Sequence, residues 1–359
     1  MSNTIGDKVR LTIFGESHGP YVGAVLDGLE PGILVDESFL KECLRKRRPN
    51  SLIDTARVEQ DKYQIVSGVF NGYTTGAPLC ILIPNENVNS SDYNPDIPRP
   101  SHADYVTRMD SKGYNDYRGG GHTSGRVTAP IVALGSIAIK QLESKGVRLG
   151  THILRCGYVV DSNFDNIEND LDVIAKKNIP VIDNIEEEIE KVILTTKEKK
   201  DSIGGVLQTA VIGLPLGVGE PWFDSLEGVI ANAMFSIGGI KGIEFGAGFK
   251  FAEGFGSTLN DELAYKDGHV VTLSNNNGGI NGGLSNSMPV IFNLAVKPTP
   301  SIATSQRSID LRSGKNVTLE IKGRHDPAII RRIIPVVNSL LAIVLVDEIS
   351  KKFGEEFFK

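Results

Sequence analysis

The sequence predicts a mixed α+β fold in which the sheets are mostly antiparallel. Strand-like stretches occur in pairs, as at 63–70 and 77–84, where the turn NGYTTG joins two apolar runs. Helical stretches lie between such pairs, a pattern typical of α+β proteins. No segment of disordered composition divides the chain, so we expect a single domain over residues 1–359.

The periodicity of apolar residues places the individual elements. Asp36 is positioned to cap a helix at 37–47, and Pro335 is expected to kink or divide the last helix. The segment 85–100 is polar and rich in proline, which predicts a loop. Further strands are expected at 9–14, 21–27, 148–160, 206–214, 290–296 and 317–321, and further helices at 127–142, within 161–201, at 225–235 and at 327–349.

The composition argues against several classes of protein. Of the 359 residues, 40% are hydrophobic, which is ample for a core, and the net charge of −6 argues against general binding to nucleic acid or acidic membranes. Cys43, Cys80 and Cys156 are odd in number and far apart, so we expect no disulfide framework and no metal site, and we expect a cytoplasmic protein. The N-terminus shows no signal peptide, and the apolar run around 333–346 is too short and too interrupted to cross a bilayer.

One glycine-rich stretch is the strongest functional signal in the chain. Residues 118–130 read RGGGHTSGRVTAP and lead directly into a predicted helix. Glycines allow backbone N–H groups to approach an anion closely, and a helix N-terminus favours negative charge. The stretch is not a phosphate loop of the Walker type, because GxxxxGK[ST] is absent. By itself it is compatible with either an anion site or a plain glycine-rich turn.

Several other turns present acid, base or cationic side chains at the ends of predicted strands and helices. The turns GESHG, RPSHADY and GRHDP carry His18, His102, His325 and Asp326, although an exposed histidine that caps a helix is an equal reading for His102. Planar cations suited to carboxylates and phosphates accompany them at Arg47, Arg48, Arg118, Arg126 and Arg324. These residues predict an enzyme that uses no metal and acts on a phosphorylated or polycarboxylate ligand.

The ordered motifs closely resemble those of the chorismate synthase family over nearly the whole chain. They are NTIG…FGESHG at 3–19, RRP at 47–49, SGVFNGYTTGAP at 67–78, RPSHADY at 99–105, DYRGGGHTSGR at 116–126, DSIGG at 201–205, IKGIEFG at 240–246, GGINGG at 278–283, KPTPSI at 297–302 and GRHDP at 323–327. The resemblance implies a layer of helices between antiparallel β-sheets and a homotetramer.

The resemblance also implies a reaction. Family members convert 5-enolpyruvylshikimate 3-phosphate into chorismate and phosphate by a trans-1,4 elimination in the shikimate pathway. They require reduced FMN although the reaction has no net redox change. No reductase domain is visible in this sequence, so we expect an external flavin reductant.

Site residues follow from the matching motifs. His18 is expected to protonate the reduced flavin, His102 to act as an acid toward the departing phosphate, and Asp326 to assist proton removal at the flavin. Substrate binding is expected from Ser17, Arg47, Arg48, Arg118, Arg126 and Arg324. Flavin binding is expected from His122, Thr123, Ser124, Gly238, Gly239, Gly282, Lys297, Pro298, Thr299, Pro300, Ser301 and Arg324. His122 stands where many members of the family have arginine.

Two other functions remain open from the residues alone. One is a flavoprotein oxidoreductase that itself turns over NADPH, although the chain shows no dinucleotide-binding fingerprint. The other is an anion-binding module without catalytic activity, which would not need two histidines and an aspartate on separate turns.

Overall fold

Two five-stranded antiparallel sheets enclose a layer of helices in the computed structural model, which describes residues 2–55, 60–86, 93–321 and 326–358. The first sheet has the strand order β1-β2-β3-β7-β4. Alternate residues of its strand β7, such as Leu79, Ile81 and Ile83, are buried against the helices, as the period of two along a strand requires. These strands are β1 (Thr4–Ile5), β2 (Arg10–Gly15), β3 (Tyr21–Asp27), β4 (Gln64–Ser67) and β7 (Leu79–Pro84).

The second sheet has the order β11-β16-β10-β8-β9. In its strand β16, Phe292, Leu294 and Val296 alternate inward with less buried neighbours. Its strands are β8 (Arg148–Cys156), β9 (Val159–Val160), β10 (Gly205–Ile212), β11 (Ile240–Phe245) and β16 (Val290–Val296). Small hairpins complete the described strands: β5 (Val69–Phe70) with β6 (Tyr73–Thr74), β12 (Leu263–Lys266) with β13 (His269–Thr272), β14 (Ile280–Asn281) with β15 (Leu284–Ser285), and β17 (Gln306–Asp310) with β18 (Lys315–Leu319).

The helical layer is built around two apolar helices that pack against each other. Helix α3 touches β3 and β7 of the first sheet as well as β8 of the second, and α8 packs on β8 and β10. A side chain at Gly135 would place its Cβ only 2.3 Å from that of Ser339, so small residues allow α3 and α8 to approach closely. The helices are α1 (Glu37–Arg47), α2 (Asp104–Asp110), α3 (Thr128–Glu143), α4 (Ile167–Lys176), α5 (Glu186–Glu198), α6 (Leu226–Ser236), α7 (Gly256–Leu259) and α8 (Ile330–Phe353).

Most of the larger predicted elements are confirmed. The oxygen of Asp36 accepts the N–H of Phe39 at 3.0 Å, which is the predicted cap of α1. The predicted strand at 148–160 is divided into β8 and β9 at Gly157, where φ is +59°. Helix α8 continues through Pro335 without being divided.

The prediction that the apolar run around 333–346 is too short to cross a bilayer was wrong about its length. Helix α8 has 24 residues and is long and apolar enough, by length and composition, to cross a membrane. However, 89% of its most apolar window is buried inside the protein, so it packs as a core helix. A helix that is apolar on all sides is what a position between two sheets demands.

Candidate active site

The glycine loop, residues 118–126, has a backbone that only glycine readily adopts. It forms a 3-10 turn over Arg118–Thr123, within which Gly119, Gly120 and Gly121 have φ values of 61°, 85° and 53°. A second short turn, Gly125–Val127, then leads into α3. The predicted glycine-rich turn at a helix N-terminus is therefore confirmed.

Two histidines from distant turns lie against neighbouring glycines of this loop. A Cβ added to Gly119 would lie 2.6 Å from Nε2 of His18 and 2.8 Å from Oγ of Ser17. A Cβ added to Gly120 would lie 3.1 Å from Cε1 and 3.5 Å from Nε2 of His102. Because Gly119 and Gly120 have no side chains, the loop has room for both imidazoles at neighbouring positions.

The turn that carries His18 is fixed at the end of β2. The N–H of Ser17 donates to the carbonyl of Gly121 at 3.0 Å, which ties this turn to the glycine loop. The side-chain amide of Asn85 donates to the carbonyls of Glu16 at 3.0 Å and Gly19 at 2.8 Å. Ser17 is completely buried, yet its hydroxyl has no hydrogen-bond partner among the described residues. A buried and unsatisfied hydroxyl is a candidate contact for a ligand.

His102 is oriented by its own turn at the start of α2. Its Nδ1 lies 2.6 Å from Oδ1 of Asp104 and 3.1 Å from a terminal nitrogen of Arg99. Burial opposes ionisation of Asp104, but the hydrogen bonds from Arg99 and His102 outweigh it and hold the pKa of this carboxyl well below its usual value. His102 is thus packed between an ionised carboxylate and the glycine loop, and is not an exposed capping histidine.

The predicted flavin segment at 297–301 reaches the His102 turn. A terminal nitrogen of Arg99 donates to Oγ of Ser301 at 3.0 Å, and Nζ of Lys297 donates to the carbonyl of Ser101 at 2.7 Å. The backbone N–H of Lys297 donates to the carbonyl of Gly239 at 2.9 Å. These contacts bring the 238–239 and 297–301 segments to the turn that carries His102.

Tyr93 links the two histidine turns. Its ring contacts the His18 imidazole edge-on, with 5.4 Å between the ring centroids. The guanidinium carbon of Arg99 lies 5.5 Å from the centroid of the same tyrosine ring, within cation–π range. Sequence reasoning missed Tyr93, because it lies in the predicted proline-rich loop and belongs to none of the motifs.

Asp326 lies four residues before the start of α8 and is almost completely buried. One of its oxygens is bonded to Arg332, while Oδ1 has no partner among the described residues. Burial raises the pKa of Asp326, the Arg332 charge opposes the rise, and the charge of Asp54 adds to it. The carbonyl of the next residue, Pro327, accepts the N–H of Ile203 at 2.8 Å.

The Asp326 region also adjoins the flavin segment. Ser202 donates its hydroxyl proton to the carbonyl of Thr299 at 2.7 Å, directly beside the bond from Ile203. A Cβ added to Gly239 would lie 2.9 Å from Cδ1 of Ile329, at the start of α8. The segment 297–301 therefore contacts both the turn that carries His102 and the residues that bond to Pro327, next to Asp326. His18 lies against the glycine loop beside His102.

Arg47 and Arg126 are held together by a carboxylate that sequence reasoning missed. Both guanidinium groups bond to Asp61, and all three side chains are buried. Arg47 also donates to the hydroxyl of Thr128 at 3.0 Å and the carbonyl of Gly125 at 2.9 Å. These bonds clamp the glycine loop to the end of α1. Substrate binding by the two arginines remains a prediction, and any anion that reaches them has to compete with Asp61.

The remaining predicted substrate residues are more accessible or lie elsewhere. The guanidinium of Arg118 donates two hydrogen bonds to Asp116, each of 2.8 Å, and the Arg118 side chain is 41% exposed. Arg48 donates to the carbonyl of Gln60 at 2.7 Å. Arg324, predicted for both substrate and flavin, and His325 lie outside the described residues.

The predicted flavin residues of the glycine loop contact protein groups. His122 has Nδ1 2.8 Å from the carbonyl oxygen of Gly15 and Nε2 3.1 Å from Oδ1 of Asn3, so its ring holds the loop against β2. Thr123 donates to the carbonyl of Gly120 at 2.8 Å, and Oγ of Ser124 accepts the N–H of Arg126. The flavin roles of all three residues remain predictions.

The two remaining glycines differ in their location. Gly238 adjoins the Lys297 contact, and an added Cβ there would meet no atom within 4 Å. Gly282 lies in the β14–β15 hairpin, which is attached at the Val290 end of β16. Lys297 follows the opposite end of β16, roughly 20 Å away at the usual rise per residue. Within one chain, Gly282 therefore does not join the other predicted residues.

The comparisons with known proteins agree on one family. A family model described as chorismate synthase matches residues 9–350. The chorismate synthase of Methanocaldococcus jannaschii is 42% identical, over 97% of this chain and 96% of the relative. That of Pyrococcus abyssi is 43% identical, over 96% of each chain. A crystal structure of a chorismate synthase matches with a TM-score of 0.76 and 27% identity, and covers 98% of this chain and 94% of that one.

Proposed function

The chain belongs to the chorismate synthase family, whose members are lyases, and we propose that it eliminates phosphate from 5-enolpyruvylshikimate 3-phosphate to give chorismate, with bound reduced FMN. In this trans-1,4 elimination, the bond from C3 to the phosphate oxygen breaks and a proton leaves C6. The family match favours neither the NADPH-dependent oxidoreductase nor the binding module without activity.

The observation that carries the proposal is the meeting of two imidazoles at Gly119 and Gly120. An elimination needs a proton donor for the leaving group and an acceptor for the proton that is removed. His102 would hold a proton at Nε2 for the departing phosphate, and His18 would hold one at Nε2 against the neighbouring glycine of the loop. Asp326 supplies a buried carboxyl with a raised pKa and a free Oδ1 among the described residues, suited to receive a proton.

The residues beside His102 fit a flavin phosphate. Oγ1 of Thr299 is buried and has no hydrogen-bond partner among the described residues. Burial lowers the pKa of Lys297, and the positive charge of Lys241 lowers it further. A phosphate group beside these two lysines would relieve their mutual repulsion. We assign Lys297, Thr299 and Ser301 to holding FMN, which when bound supplies electron density for the elimination.

The substrate's three anionic groups require cations that a ligand can reach from solvent. Arg118 is half exposed at the start of the glycine loop, and Arg48 lies at the end of α1. Arg118 belongs to the glycine loop, and Arg47 ties the end of α1 to the same loop. Arg47 and Arg126 would contribute if the bound anion displaced the carboxylate of Asp61 from between them.

The wider setting of the enzyme belongs to the same proposal. It comprises one catalytic domain in the cytoplasm, an external source of reduced flavin and a homotetramer. Large apolar side chains on two surface turns support the assembly: Trp222 and Phe223 on one, and Phe249 and Phe251 on the next. Exposed aromatic groups of this kind are typical of protein interfaces.

An anaerobic assay of phosphate release tests the function. We expect release from 5-enolpyruvylshikimate 3-phosphate with photoreduced FMN and none with oxidised FMN. His18→Ala and Asp326→Ala should each slow turnover by about a hundredfold at saturating flavin, as is typical when an acid or base is removed. Near-normal turnover in both variants would refute the assigned roles, and aerobic consumption of NADPH without phosphate release would favour the oxidoreductase.

A further inference from the structure

Two groups compete for one ring nitrogen of His102. Nδ1 lies 2.6 Å from Oδ1 of Asp104 and 3.1 Å from a terminal nitrogen of Arg99. A guanidinium only donates and a carboxylate only accepts, so Nδ1 can serve one of them but not both. The same nitrogen of Arg99 already donates to Oδ1 of Asp104 at 2.7 Å. The contact from Nδ1 to Asp104 is the shorter of the two, and Arg99 has another acceptor in Asp104. Both observations indicate that Nδ1 carries a proton and donates it in a hydrogen bond to Asp104.

The carboxylate of Asp104 is itself held rigidly. Two nitrogens of the Arg99 guanidinium donate hydrogen bonds to it, Nε to Oδ2 and a terminal nitrogen to Oδ1, each at 2.7 Å. The backbone N–H of Arg99 donates to Oδ2 at 3.1 Å. A two-pronged contact of this kind fixes the plane of the carboxylate as well as its position. Asp104 therefore offers His102 an acceptor that cannot rotate away.

We propose that Asp104 is the positioning residue of His102, an inference that rests on the proposed function. It binds the proton on Nδ1 and so leaves Nε2 as the nitrogen that faces the glycine loop, 3.5 Å from where a Cβ of Gly120 would lie. The negative charge also stabilises the ring while it carries two protons. When the bond from C3 to oxygen breaks, its electron pair goes to the phosphate oxygen, which takes the proton from Nε2. The imidazole that remains is neutral, and its Nδ1–H still donates a hydrogen bond to Asp104.

The variant Asp104→Asn tests this arrangement because it preserves the size of the side chain and removes the charge. We expect kcat to fall by roughly tenfold to a hundredfold, as for a weakened general acid, while KM for the substrate stays within about twofold. Asp104→Glu should recover part of the loss. Asp96→Asn is the matched control, because Asp96 lies in the loop before α2 and pairs at 3.0 Å with Arg108, which is on the same helix as Asp104. The kcat of Asp96→Asn should remain normal.

A double-mutant cycle distinguishes positioning from mere support of the fold. In a His102→Ala background, Asp104→Asn should change the residual kcat by less than about twofold, because residues that act as a unit are not additive. An equal loss in both backgrounds, or no loss in the wild-type background, would overturn the proposal. If the wild-type enzyme released no phosphate, the proposed function itself would fail.

Proton NMR of the flavin-free protein gives a readout that does not depend on activity. A hydrogen bond to an ionised carboxylate shifts the imidazole N–H resonance far downfield. We expect such a resonance in the wild-type protein and in Asp96→Asn. The buried pair of His152 Nδ1 and Asp161 Oδ2, 3.0 Å apart, gives a second resonance of this kind that all variants keep. The resonance of His102 is identified by its loss in His102→Ala, and it should also be lost in Asp104→Asn. If that resonance persisted in Asp104→Asn, the proposed donor–acceptor pair would be overturned even in a fully active enzyme.

Discussion

Replacing Gly119 by alanine tests the contact between the glycine loop and His18 on which the proposed active site depends. The new Cβ would lie 2.6 Å from Nε2 of His18. Non-bonded heavy atoms prefer separations of about 3.5 Å or more, so the imidazole has to move by about 0.9 Å. A shift of about 1 Å in a reacting group lowers the rate by on the order of a hundredfold. The left-handed φ of 61° should in addition cost about 1–2 kcal/mol of stability.

Two other glycines separate the collision from the backbone strain. Gly146, with φ of 78° and no atom within 4 Å of an added Cβ, lies beyond the far end of the 16-residue helix α3, about 24 Å from the loop. Gly146→Ala should lose similar stability without loss of turnover. Gly125→Ala, in the loop itself, meets no atom within 4 Å and has no left-handed φ, so it should change neither property.

The assay is phosphate release under anaerobic conditions with reduced FMN, combined with urea unfolding of each variant. We expect Gly119→Ala to combine a stability loss like that of Gly146→Ala with a loss of turnover that Gly146→Ala does not show. Turnover of Gly119→Ala within a few-fold of the wild type would refute the inference that His18 acts from its position against the loop.

Two further predictions concern buried groups. Asp61→Asn should destabilise the protein by about 3–5 kcal/mol in urea unfolding, because it leaves the buried Arg47 and Arg126 without their counter-charge. As a control, Asp27→Asn at an exposed ion pair should cost at most about 1 kcal/mol. Equal losses of stability would contradict the proposed buried cluster. Burial raises the pKa of Cys43 to about 12 and that of Cys156 to about 11, so native protein at pH 8 should react with thiol reagents at these positions far more slowly than urea-unfolded protein, as mass spectrometry of the labelled chain can measure.

The local elements were largely predictable because their signals are local. The side chain of Asp36 caps α1 by accepting the N–H of Phe39, three residues further along the chain, and the strand β2 follows from the alternation of apolar residues at 9–14. Helix α3 begins directly after the glycine loop, as the pattern indicated. The short strands β11 and β17 were missed, because their apolar patterns are brief and glycine or polar residues flank them.

The candidate site was predictable only as a set of residue types. The motifs singled out His18, His102 and Asp326, but nothing in their spacing showed which groups would contact them. Asp104 is the partial exception, since its place two residues after His102 allows a contact within one turn. Tyr93 has no comparable signal, and its role as a link between two histidine turns depends on how distant segments pack.

By itself, the sequence determined the family, the candidate acid and base groups, and the glycines of the loop, since all of these reside in short ordered motifs. Only the tertiary structure decided that Asp61 occupies the space between Arg47 and Arg126, and that Gly282 lies at the far end of the second sheet. The physical reason is that a buried cation must find a counter-charge wherever packing brings one. That choice depends on which strands pair over long separations, and no local pattern of residues records it.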